Sequence, residues 1–153
     1  MKLISLLVSC LLSLPALAGP ISSTQGTQIR PFDWQPVIGI NPKAPFSAYY
    51  DRNSMAVNKE ENGIYSSGTI LLVAKQPVPI LVNQKTILTR SLMKLYVVEC
   101  GSGLSVAHTE FYFTVPVPGL ETIPVARFER TPDQAETLSK DSMLYHIFCP
   151  VYI

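Results

Sequence analysis

Histidine, cysteine and charge are all scarce in this chain, and the shortages remove classes of function. With 2 histidines and 3 cysteines among 153 residues, no cluster has the spacing of a metal site, which needs three or four ligands close together. His146 and Cys149 stand at i, i+3, a ligand-like interval, but the pair has no third member. The 12 Lys and Arg against 11 Asp and Glu leave no clustered cationic footprint for phosphate, so nucleic acid is excluded as a partner. Beyond the opening segment no apolar run approaches the roughly 18 residues needed to cross a bilayer as a helix, so no transmembrane segment is expected. What is present, 47% hydrophobic and 15% charged residues, is the composition of one globular domain with a buried core.

The opening, MKLISLLVSCLLSLPALAGP, has a basic Lys2, an apolar stretch and Ala16-Leu17-Ala18, small residues at the two positions a signal peptidase reads. This layout predicts a signal peptide over residues 1–18, cut before Gly19. Leu7-Val8-Ser9-Cys10 also has the form of a lipobox. The apolar stretch before Cys10 is very short, however, and apolar sequence continues past it to the Ala-x-Ala site, so Cys10 reads as a leader residue that is discarded.

Two cysteines then remain in an exported, oxidising compartment, where pairing is the rule. Only one intramolecular bridge can form, Cys100 with Cys149. Closing a loop of about 49 residues stabilises a fold by roughly 4 kcal/mol on the chain-entropy model, a large share of the ~5–15 kcal/mol expected for a domain.

Residues 19–45 carry prolines at 20, 31, 36, 42 and 45 with Ser, Thr and Gln between them, so this stretch reads as a Pro-rich N-terminal arm with one short strand within 32–38. Trp34, the only tryptophan, reads as the plug where the arm docks ahead of the alternative, an exposed aromatic anchor for a partner. The domain proper is expected over 46–153. FSAYYD (46–51) is a strand, Arg52-Asn53-Ser54 a turn, and Asn62-Gly63 a hairpin signal opening the β-branched run 64–75. Pro77 and Pro79 make 76–88 an edge strand or a crossing loop. The stretch 92–100, LMKLYVVEC, is the middle of the sheet, and Gly101-Ser102-Gly103 turns it into 104–114. On strict alternation Leu104, Val106, His108, Glu110 and Tyr112 share one face of that second arm. In 134–149 the residues Met143, Leu144, Ile147 and Phe148 recur at helical spacing, with Asp141 as cap. The fold class that follows is α+β and mainly β: a single antiparallel sheet of about five or six strands, a C-terminal helix packed on one face, and a disulfide stapling the two.

Catalytic chemistry is not indicated, and neither is a cofactor. Gly101-Ser102-Gly103 lacks the strand-to-helix elbow of a hydrolase serine, since a strand follows it. His108, Asp51 and a serine form a triad only on paper, because no motif places a nucleophile beside an activating base. The adjacent Glu60 and Glu61 lie on a polar turn and read as solvated.

Taken in order, Trp34 and Val37, then Tyr50-Asp51-x-x-Ser54-Met55, Tyr65 opening a long strand, Glu99-Cys100 ending one, and a terminal helix with Leu144 and Cys149 resemble the surface-adhesin protein E family of Gram-negative bacteria. The resemblance implies a small domain of the periplasm or cell surface, homodimeric, that binds proteins and turns over no substrate. Its Asp51 to Ser54 turn would shape a loop through Asx-type hydrogen bonds. Both faces of the 92–114 hairpin carry apolar residues and one helix covers one face, so the other expects the arm, a second copy or a partner. The expected function is therefore an exported, non-enzymatic protein-binding module with a host matrix protein or an envelope component as partner; the alternative is a periplasmic accessory protein that supports an envelope machine of the cell itself.

Overall fold

The structure, a computed structural model, describes residues 30–150. The expected signal peptide, with Cys10, and residues 19–29 of the arm lie outside the described residues, as do 151–153. In chain order the elements are β1 (Trp34–Pro36), β2 (Phe46–Asp51), β3 (Ala56–Glu60), β4 (Gly63–Val82), β5 (Lys85–Glu99), β6 (Leu104–Phe113), β7 (Ala126–Glu129), β8 (Glu136–Thr137) and α1 (Met143–Phe148), with short 3-10 turns at Arg52–Ser54 and Pro132–Gln134. All strands pair antiparallel in one open sheet whose main path runs β1-β2-β4-β5-β6-β7. β3 pairs with the start of β4, beyond the end of β2, and β8 with the start of β6. The expected α+β class, antiparallel sheet and stapled helix are all present. The sheet has eight strands because β1, β7 and β8, of 3, 4 and 2 residues, add to the longer ones.

β4 and β5, of 20 and 15 residues, form the axis of the molecule. They are rich in Ile, Val, Thr and Tyr, whose branched or aromatic side chains fit a pleated, half-buried surface. Their link is the two-residue turn Asn83–Gln84, with φ of 48° and 64°. Two left-handed residues match the twist of a tight hairpin. Of the two readings of 76–88, the edge strand is the one found and the crossing loop is not. β4 runs through Pro79 because Val82 and Lys85 flank the turn as a hydrogen-bonded pair, which makes Pro79↔Leu88 one of the alternate pairs that exchange no ladder bonds. Pro77 falls in a bulge, where the register shifts between Val73 and Val78.

The expected β5–β6 hairpin is present, but its connection is four residues, 100–103, because Cys100 leaves the ladder as well; Gly103, at φ +77°, takes the conformation an L side chain resists. The strict alternation expected along β6 does not hold. Leu95 faces Thr109 while Tyr96 faces Ala107, so His108 is an extra residue that flips the order. Glu110 and Tyr112 consequently share a face with Ser105 and Ala107, not with Leu104, Val106 and His108.

The helix is shorter than 134–149, and Ser142, not Asp141, caps it: Ser142 has extended backbone and its Oγ accepts from the Tyr145 amide at 3.2 Å. Asp141 lies one residue too early to reach that amide. α1 presses Tyr145 and Phe148 onto Ile70 and Val98 of the sheet, and the Cys100–Cys149 bridge closes the same core, with Cα atoms 5.6 Å apart and both cysteines 1% exposed. The Tyr145 hydroxyl donates to the Cys100 carbonyl at 2.6 Å. Gly68 permits this close approach, since a Cβ there would lie 2.3 Å from the Met55 sulfur and 3.2 Å from the Phe148 ring. β1 brings the described part of the arm into the sheet beside β2, and Trp34, half-buried, stacks on Phe32 at 4.9 Å.

The molecule thus has two ends. The disulfide and the 101–103 turn occupy one; the Asn83–Gln84 ribbon, the 38–45 loop and the 114–125 connection occupy the other, and α1 lies between them with Met143 against Gly39.

Candidate functional site

The residues singled out from sequence separate into structural devices. Asp51 Oδ1 accepts from the Asp33 amide at 2.7 Å and the Asn53 amide at 3.1 Å. Ser54 Oγ donates to the Asp51 carbonyl at 2.9 Å and accepts from the Thr69 amide at 2.9 Å. The Asp51 to Ser54 turn therefore ties β1, β2 and β4 together, as an Asx-type loop former. Glu99 accepts from the amides of Gly101 and Ser102, each at 2.7 Å, and from the Ser102 hydroxyl. The Ser102 bonds hold its pKa below the ordinary range, ahead of the Gly101 bond. Both motifs end in loop geometry.

His108 and Asp51 do not meet. Asp51 is on β2 and His108 on β6, with β4 and β5 between them, roughly 14 Å of sheet at about 4.8 Å per strand. Among the described residues no three His, Cys, Asp or Glu side chains are placed to hold a metal ion, and no helix is long and apolar enough to cross a membrane.

The buried polar cluster that sequence reasoning missed is centred on Glu110. Its side chain is 2% exposed and lines a small, partly open cavity of about 60 Å³ with Lys94, Tyr96, Ser105, Arg130 and Gln134. Lys94 Nζ lies 3.0 Å from one carboxylate oxygen, Arg130 Nη2 3.3 and 3.2 Å from the two, and the Tyr112 hydroxyl donates to the carboxylate at 3.2 Å. Burial alone would raise the pKa of Glu110, but the Lys94 and Arg130 hydrogen bonds outweigh it and hold the acid below its usual range. Burial works against the Lys94 cation, yet Tyr96 and then Glu110 keep its pKa above normal. An acid this firmly ionised and doubly paired is a poor proton donor, and a lysine this firmly protonated is no nucleophile. The cluster pins the segment after β7 to the sheet. No local sequence signal marks it, because the bulge at His108 that brings Glu110 onto this face is defined only by pairing with β5.

Two open features remain. β3 is exposed at all five positions, and only one of its margins is paired, with β4. At the ribbon end, Phe46, Leu72, Val78, Leu92 and Tyr112 line an open apolar cleft of about 160 Å³ beside Arg90, whose Nε is buried without a hydrogen-bond partner. In comparisons with known proteins the chain matches no family model, no curated protein and no solved structure.

Proposed function

We propose that this chain is an exported, non-enzymatic protein-binding module that acts in the periplasm or on the cell surface of a Gram-negative bacterium. The observation that carries the reading is the free margin of β3. In the β3–β4 hairpin Glu60 and Gly63 flank the turn as a hydrogen-bonded pair, so Asn58 and Ala56 also bond inward and the amides of Val57 and Lys59 point outward. That row of donors and acceptors has no strand beside it among the described residues. Such a margin accepts an extended segment of a partner by strand addition, with backbone bonds giving affinity and the flanking side chains selectivity. The disulfide fits an oxidising compartment, and the paired state of Glu110 and Lys94 argues against turnover. The partner in this reading is a host matrix protein or an envelope component, and the same margin gives a second copy a place to pair as a homodimer.

The test uses the mature protein and Val57→Pro. Proline there removes an outward donor and no β3–β4 bond, so the fold is retained. Immobilised matrix proteins and envelope extract should both be offered. Capture by wild type and its loss in Val57→Pro is the expected result; blanks on every surface would refute the reading.

A further inference from the structure

Of the 14 large apolar residues that stand exposed, nine gather at the ribbon end: Ile38 and Phe46, three on the ribbon, and four in the 114–125 connection. Leu81 is 70% exposed, Leu88 59% and Ile123 85%. Charge is segregated in the same way. Lys43, Lys75, Lys85 and Arg90 stand at this end against Glu121 alone, a net of +3, while the other described residues hold seven cations and ten carboxylates, a net of −3. A patch that joins hydrocarbon to positive charge fits a surface offering the reverse.

The cleft sharpens the match. Leu81, Leu88 and Arg90 lie on one face of the ribbon, continuous with Leu92 at the cleft wall, because Pro79↔Leu88 and Leu81↔Thr86 are cross-strand partners and Leu88, Arg90 and Leu92 alternate along β5. Arg90 makes no ion pair among the described residues, and its buried Nε lacks an acceptor beside the apolar walls. At about 160 Å³ the cleft is smaller than the ~300–1,000 Å³ of most ligand sites. It suits the end of one acyl chain with an anionic group held at the rim.

We infer that the ribbon end is a docking surface for an anionic lipid bilayer: Leu81 and Leu88 enter the interfacial layer, the lysines lie at the headgroups, and Arg90 binds a lipid phosphate at the mouth of the cleft. The Asn83–Gln84 turn is polar, so the ribbon meets the bilayer along its side. A second copy is the weaker occupant. A two-fold contact sets a patch against itself, and here it would bring four cations onto the same four. An anionic bilayer complements both the charge and the apolar surface.

The experiment is co-sedimentation of the mature protein with vesicles of pure phosphatidylcholine or of phosphatidylcholine with phosphatidylglycerol. Binding to the anionic vesicles only, weakened by raised salt, is expected. Leu88→Asp, at an exposed site, should lower the partition at least about tenfold, and Arg90→Gln should lower it severalfold while unfolding with unchanged cooperativity. Val57→Pro should bind vesicles as wild type does, which separates this surface from the β3 margin. Equal binding to both vesicle types, or wild-type binding by both Leu88→Asp and Arg90→Gln, would overturn the inference. So would a dimer in light scattering that Leu88→Asp dissolves without any lipid, or capture of monomeric decanoate with no vesicle binding, which would make the cleft a site for a soluble amphiphile.

Discussion

Replacing Cys100 or Cys149 with serine tests whether the helix is held by the bridge or only by packing. α1 is six residues long, far below the about 12–15 at which an isolated helix becomes even marginal, so it depends on tertiary contacts. The bridge spans 49 residues. On the chain-entropy model that closure is worth about 4 kcal/mol. Near 60 °C a domain of this length loses roughly 0.3 kcal/mol of stability per degree, so the melting temperature should fall by about 15 °C. Each cysteine is 1% exposed, and a buried hydroxyl without a good partner adds about 1 kcal/mol to the loss. The assay is circular dichroism melting of both single variants, the double variant, and wild type with and without reductant. Since one bridge is removed in every case, the three variants should melt within a few degrees of one another, and the double should not show the sum. A fall of only a degree or two, or a wild type indifferent to reductant, would refute the reasoning.

Glu110→Gln leaves Lys94 and Arg130 facing a neutral amide. Both cations still reach solvent, so the cost should be about 2 kcal/mol, below the ~3–5 of a wholly buried pair, as measured by urea unfolding at pH 7. The folded pKa of Glu110 is depressed, so its contribution is complete above the unfolded carboxylate range and is lost as pH falls through the folded value. Wild type should therefore lose stability below about pH 4 more steeply than Glu110→Gln, and parallel curves would exclude the cluster as the source. Gly68→Ala sets a methyl into the Met55 sulfur and against the Phe148 ring, which should cost about 1–3 kcal/mol by overpacking and weaken protection of the α1 amides in hydrogen exchange.

Most of the sheet is legible in the sequence because its signals are local. FSAYYD, the glycine turn at 101–103 and the single possible cysteine pairing each specify their element without reference to the rest. Three features depend on distant partners and are not legible. Pro79 is tolerated in β4 only because the phase of its ladder, set at Asn83–Gln84, turns the missing N–H outward. His108 is extra only by comparison with β5, and without that comparison Glu110 falls on the wrong face. The cap falls on Ser142 because a turn closed by the Ser142 amide on the Ser139 carbonyl precedes the helix, while β8 and the Pro132–Gln134 turn keep the start of 134–149 out of it. The Glu110 cluster was hidden for the same reason: Lys94, Glu110 and Arg130 are brought together by register, which composition does not encode.

The two prolines of β4 carry a consequence for how crowded copies of this protein behave. Ile80, Leu81 and Val82 are the kind of sequence that seeds fibrils when it lies along an open strand margin. Pro79 turns a blank position toward that margin and Pro77 buckles the chain just before it, so a neighbouring strand finds neither a continuous row of donors nor a flat template. Stickiness at this end is thereby confined to side chains, and stacking into an endless ladder is blocked where the chain is most prone to it.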